Sequence, residues 1–210
     1  MKTVIWDFDG TLFDTYPGMI AALVATLQDH NLPADAKKLL LATKYDSMKK
    51  VLDDYSSKYN ISRQLLQSEY NAHELVLNRT PQPYAGALAA LSTVHLADDQ
   101  NLLWTHRDQK AWRLLRDQHM SALFTGGTTI DMHFKRKPDP ESINYLLQTY
   151  GAQASTTLVV GDRRLDVEAG QAAGCHTLYI DIDGLHDAHA EFTAETLTAA
   201  LPIIRDFVTK

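Results

Sequence analysis

Two carboxylates stand two residues apart where an apolar run ends, in Val4-Ile5-Trp6-Asp7-Phe8-Asp9-Gly10-Thr11-Leu12. In an extended segment that spacing points both acids to the same side. Like charges so close repel, so the pair calls for a cation, a shared proton or solvent between them. Gly10 allows the backbone to turn sharply and approach a ligand closely. Three later stretches carry groups that would complete such a site. They are Thr105-His106-Arg107, Lys135-Arg136-Lys137-Pro138-Asp139-Pro140, and Gly161-Asp162-Arg163-Arg164-Leu165-Asp166. With the opening pair the inventory is two acids, a hydroxyl, a lysine and two more acids.

Such residues converge only if the right elements hold them. Apolar runs at 4–6, 101–105, 156–160 and 176–180 read as buried strands. Between the later runs lie helical patterns: Tyr84, Ala87, Leu88 and Leu91; Ala111, Leu114 and Leu115; Ile143, Leu146, Leu147 and Tyr150; and the segment 163–173. A short apolar piece falls at Leu123-Phe124, and the tail from about 194 to 208 reads as amphipathic helix, with Pro202 a possible start of a separate one. Alternating strands and helices predict an α/β, doubly wound parallel sheet. In such sheets ligands sit outside the carboxyl ends of the strands, where all four stations fall.

The stretch between Asp14 and Thr80 shows no strand pattern. Asp14 or Thr15 can cap a first helix with Pro17 in its first turn. Three more helical runs follow, at about 35–43, around Met48, Val51, Leu52 and Tyr55, and after Ser62 with Leu66, Tyr70, His73 and Leu77 on one face. Thr80-Pro81-Gln82-Pro83 marks the boundary, since two prolines so close break any helix. The expected domains are therefore an all-helical insert, 15–80, and a core of 1–14 with 81–210.

Composition narrows the function. With 210 residues, 45% hydrophobic and 22% charged, the chain can build one sizeable core plus a small unit. A formal net charge of -6 argues against a general nucleic-acid or anionic-membrane binder. The single cysteine, Cys175, rules out an internal disulfide and reads as a small core residue. No stretch approaches the roughly 20 apolar residues of a membrane span, and no secretory leader pattern is present, so the expected setting is cytoplasmic. Oligomeric state leaves no signature.

The ordered set Asp7-x-Asp9-Gly10-Thr11, Thr105, Lys137-Pro138-x-Pro140 and Gly161-Asp162-x-x-x-Asp166 closely resembles the haloacid dehalogenase superfamily. The helical insert after the first motif looks like the mobile cap of its phosphoglycolate-phosphatase-like branch. The resemblance implies a Rossmann-like core with a small all-helical cap, and a Mg²⁺-dependent phosphatase of a small phosphorylated metabolite. Within it Asp7 is the nucleophile that forms an aspartyl-phosphate, and Asp9 is the acid/base. The implied metal ligands are the Asp7 carboxylate, the Asp9 backbone carbonyl, Asp162 and Asp166, the last directly, through water or by orienting Lys137. Gly10, Thr11, Thr105, His106 and Lys137 are the implied phosphate and substrate contacts.

Two other functions share the motifs. A sugar phosphomutase of the same branch keeps both aspartates, and a phosphate-ligand sensor would keep the fold without turnover. Asp9 argues against the dehalogenase branch, which needs no acid there. A phosphonate hydrolase would draw its Schiff-base lysine from among the insert's lysines at 37, 38, 44, 49, 50 and 58.

Several tempting features read as structural. Asp181-Ile182-Asp183-Gly184 repeats D-x-D-G but no further station follows, so it reads as a polar strand exit. His186 and His189 lack a third soft ligand nearby and read as a polar loop. Lys44, Tyr45, Lys49 and Lys50 read as surface of the insert, with one or two available to a substrate's leaving group.

Overall fold

The computed structural model describes residues 1–209. In chain order, β1 (Thr3–Trp6) is followed by the helices α1 (Tyr16–Asp29), α2 (Ala36–Tyr45), α3 (Met48–Tyr59) and α4 (Arg63–Leu77). Then come α5 (Ala87–Leu96), β2 (Gln100–Trp104), α6 (Lys110–Asp117), β3 (Gly126–Thr128), α7 (Glu141–Thr149) and β4 (Thr157–Gly161). The chain continues through α8 (Arg164–Ala172), β5 (His176–Ile180), β6 (Phe192–Ala194) and α9 (Leu197–Thr209).

The strands form one six-stranded sheet in the order β3-β2-β1-β4-β5-β6, every neighbouring pair parallel. A parallel sheet is covered on both faces, which is why its strands are apolar without alternation. Val4, Trp6, Leu103, Leu158, Val160 and Leu178 join α5, α6 and α9 in one core. Ile5, Leu102, Trp104 and Val159 face the other way and join α7 and α8. This is the doubly wound α/β arrangement. From β1 the chain builds outward through β2 and β3, then returns to β4 on the opposite side of β1. The order reverses between β1 and β4, so the crevice for a ligand lies beyond their carboxyl ends.

The chain divides into two compact units, Asp14–Gln82 and the remainder, Met1–Phe13 with the chain from Pro83 onward. Within Asp14–Gln82, α1 to α4 enclose Ile20, Leu23, Leu27, Leu39, Leu52, Leu66 and Tyr70. The side chains of Asp35, Ser47 and Ser62 accept the backbone N–H groups of Lys38, Lys50 and Leu65, capping α2, α3 and α4. Thr15 occupies the N-cap of α1 without a side-chain cap bond.

Several details differ from the sequence reading. β3 and β6 carried no strand signal, being three residues long, and β3 is mostly glycine. α9 runs through Pro202 unbroken, since this residue faces solvent and water can satisfy the carbonyl it leaves unpaired. Tyr84 precedes α5, and Leu88 is exposed because the inner face of that helix is Ala87, Ala90, Leu91 and Val94. Leu77 is exposed because the buried edge at the end of α4 falls on Asn78. Lys44 is buried rather than on the surface, its Nζ 4.5 Å from the centroid of the Tyr16 ring.

Candidate active site

The backbone of β1 sets the first carboxylate. The N–H of Asp7 donates to the carbonyl of Val160 at 2.9 Å, extending the ladder one residue past the strand. The chain then folds back on itself. Gly10, at φ +82°, donates its N–H to Phe13, and the N–H groups of Leu12 and Phe13 both reach the carbonyl of Phe8. A side chain at Gly10 would strain this loop. The rings of Phe8 and Phe13 stack at 4.5 Å beneath it. Inside the loop, Thr11 is fully buried and donates its hydroxyl to Asp162 Oδ1 at 3.1 Å. The hydroxyl of Thr11, an implied phosphate contact, is thus engaged by a carboxylate.

Asp162 and Asp166 follow β4. Asp166 lies in the first turn of α8 and accepts the N–H of Arg163 on Oδ2 at 3.0 Å, an acid at a helix N-terminus. It approaches so closely that a Cβ on Gly161 would fall 2.3 Å from its own Cβ. Glycine at the end of β4 is thus a condition for the site. Asp166 Oδ1 lies 2.8 Å from Lys137 Nζ, so this carboxylate both caps the helix and orients the lysine.

Lys137 projects from the segment before α7 and is buried. Its Nζ donates to Asp7 Oδ1 at 2.6 Å and stands 3.7 Å from the centroid of Trp104. The indole Nε1 of Trp104 donates in turn to Ser142 Oγ at 2.6 Å. The backbone N–H of Lys137 reaches His106 Nε2 at 3.3 Å. Burial, with the positive charges of Lys137, Arg136 and Arg163, pushes the His106 imidazole down to about 2, so the ring is neutral. Thr105 continues the β2 ladder by donating its N–H to Thr128, and its hydroxyl accepts the N–H of Arg107.

Burial pushes Asp7 up to about 7; the nearby Asp166 and Asp162 add to this while Lys137 and Arg163 oppose it. Burial works against the Asp166 anion too, but Lys137 and Arg163 overcome it and hold that carboxyl below its usual range. One oxygen from each of Asp7, Asp162 and Asp166 lies within 4.8 Å of the others, and all three acids are buried. Asp7 Oδ2 is buried with no hydrogen-bond partner among the described residues. An orphan oxygen in an all-oxygen acidic cluster fits a hard divalent cation.

Of the residues singled out in the sequence, Asp7, Asp162, Asp166 and Lys137 thus meet directly. The Asp9 side chain does not join them. It accepts two bonds on Oδ1 from Arg107, from Nε at 2.9 Å and Nη2 at 2.7 Å. Arg107, Trp104 and Ser142 were not singled out. Arg107 stood in plain sight beside Thr105, but an arginine after a strand has no distinctive spacing. The second D-x-D-G, at 181–184, shapes its own loop: Asp181 accepts the N–H groups of Leu185 and His186.

The sequence model of the haloacid dehalogenase-like hydrolases matches residues 4–180, and the chain belongs to that family. A phosphoglycolate phosphatase of Aliivibrio fischeri is 27% identical over 84% of this chain and 82% of its own. An N-acetylmuramic acid 6-phosphate phosphatase of Pseudomonas aeruginosa is 27% identical over 89% and 84%. The crystal structure of a hydrolase from Streptococcus pneumoniae superposes with a TM-score of 0.60 at 33% identity, over 84% of this chain and 92% of that one. No helix among the described residues is long and apolar enough to cross a membrane.

Proposed function

We propose that this hydrolase is a Mg²⁺-dependent phosphatase that cleaves a small phosphorylated metabolite through an aspartyl-phosphate on Asp7. The observation that carries the reading is the convergence of Asp7, Asp162 and Asp166 within 4.8 Å, with Lys137 in contact with two of them. The two relatives named as phosphatases of small phosphate esters support the substrate class.

Asp7, Asp162 and Asp166 would hold the cation, which supplies positive charge against the phosphoryl oxygens and lowers the barrier to attack by an anion. An Asp7 carboxylate oxygen attacks phosphorus, and the ester P–O bond breaks as Asp9 gives its proton to the leaving oxygen. A water oxygen then attacks phosphorus, Asp9 takes the water's proton, and the bond to Asp7 breaks to release phosphate. Thr105 and Lys137 hold the phosphoryl oxygens during both transfers. Thr11 orients Asp162, and Gly10 makes the turn that brings it there. Neutral His106 steadies the Lys137 segment rather than meeting the phosphate with charge. The four-helix unit Asp14–Gln82 holds the place in the chain, between the first and second motifs, that the family's cap holds.

Phosphate release from aryl and alkyl phosphates, with Mg²⁺ and with excess chelator, tests the reading. Wild type should release phosphate only with the metal, and Asp7→Asn should release none. Equal turnover in chelator, or full activity of Asp7→Asn, would sink it.

A further inference from the structure

Arg107 connects two stations that the chemistry uses, Asp9 and Thr105. Its guanidinium holds Asp9 Oδ1 with two nitrogens, at 2.9 and 2.7 Å, across 98 positions of sequence. Its carbon lies 5.9 Å from the centroid of the Phe8 ring, and its side chain is only 10% exposed. The backbone of the same residue is fastened on both sides. Its N–H donates to Thr105 Oγ1 at 3.0 Å, and its carbonyl accepts the N–H of Ile130 at 3.1 Å. A guanidinium fork anchored in this way fixes a carboxylate in direction as well as in place.

We propose that Arg107 is a positioning residue for proton transfer, clamping Asp9 by Oδ1 so that Oδ2 is the oxygen that exchanges the proton. The inference rests on the phosphatase reading and adds to it an element absent from the acid triad. An aspartate side chain beside a glycine turn, 22% exposed, has two torsions to fix, and a rotated carboxylate is out of reach of the leaving oxygen. Misplacement of about 1 Å can cost on the order of a hundredfold in rate.

The need for a proton depends on the leaving group. An aryl oxide departs as an anion, whereas an alkoxide must be protonated as it leaves. A residue that serves Asp9 as acid should therefore matter for alkyl esters and little for aryl esters in kcat/KM, which ends at departure of the leaving group, whereas Asp9's action on water falls on the kcat of both. One that serves the fold or binds phosphate should matter equally for both.

The test compares wild type, Arg107→Ala, Arg107→Lys and Asp9→Asn on p-nitrophenyl phosphate and on the fastest alkyl ester of a phosphate panel, all with Mg²⁺. In Arg107→Ala the alkyl kcat/KM should fall about 10- to 100-fold, short of the roughly 100- to 10,000-fold of a whole acid–base contribution because Asp9 itself remains. Its aryl kcat/KM should stay near wild type. Millimolar guanidinium should restore alkyl turnover to Arg107→Ala but not to Asp9→Asn, and Arg107→Lys should fall between. If Arg107→Ala does not fold, the aryl–alkyl comparison in Arg107→Lys decides. Equal loss of kcat/KM on both esters, or no loss on either, would overturn the role of Arg107 while leaving the phosphatase reading standing. A wild type inactive on every ester would overturn both.

Discussion

The ammonium of Lys137 rests 3.7 Å over the ring of Trp104, and the far edge of that ring is tied to Ser142. The lysine is thus gripped by two carboxylates and by one aromatic face. Cation–π contacts of desolvated lysines are worth on the order of 2 kcal/mol. Trp104→Leu should therefore lower kcat/KM by roughly 30-fold, as 1.4 kcal/mol is a factor of ten. Trp104→Phe keeps a face and should retain most activity while losing stability. Steady-state kinetics on both variants check this, and equal losses would mean the aromatic face is irrelevant.

Thr11 should act through the metal. Removing its hydroxyl frees Asp162 Oδ1 from the 3.1 Å bond that orients it. Loss of such an outer partner costs about 10- to 100-fold in metal affinity. Thr11→Val should therefore need correspondingly more Mg²⁺ for half-maximal activity, with kcat at saturating metal near wild type. Thr11→Ser should behave as wild type. A Mg²⁺ titration of phosphate release separates these outcomes.

Gly161→Ala inserts a methyl 2.3 Å from Asp166 Cβ. Either β4 or the first turn of α8 must shift, and overpacking of this kind costs about 1–3 kcal/mol. The shift also drags Asp166 off Lys137. The variant should melt several degrees lower and lose activity even at high Mg²⁺. A thermal melt beside the activity assay checks both.

The acid cluster links stability to pH. Folded Asp7 keeps its proton to about pH 7, against 3.8 for an ordinary aspartate, because of burial and then its acidic neighbours. Between those values the folded chain binds more protons than the unfolded one, so metal-free stability falls as pH rises through the window. A cation held by the three acids would take the place of that proton. The rise in Tm produced by Mg²⁺ should therefore be larger at pH 7.5 than at pH 5. A thermal-shift series with and without metal measures it, and a pH-independent increment would refute it.

Much of this was visible in the chain because its demands are local. Strands buried on both faces must be apolar throughout, so β1, β2, β4 and β5 announced themselves, and with them the four stations. What stayed hidden depends on neighbours. β3 and β6 are held by pairing with β2 and β5 rather than by β-prone residues. Pro202 reads as a breaker unless its outward orientation is known. Lys44 reads as surface until Tyr16 is seen to cover it. The Arg107–Asp9 pair spans 98 residues, a distance at which one sequence carries no trace of contact.

The strand order has a consequence for how the protein comes into being. Lys137 reaches Asp7 across 130 positions, and Thr11 reaches Asp162 across 151. Contacts between such distant parts close late and slowly, since the entropy of the intervening loop must be lost first. A nascent chain that has not yet paired β4 with β1 has its first aspartates but nowhere to hold a cation. Catalytic competence should therefore appear in a single late step of maturation, which makes enzyme activity a direct reporter of complete folding.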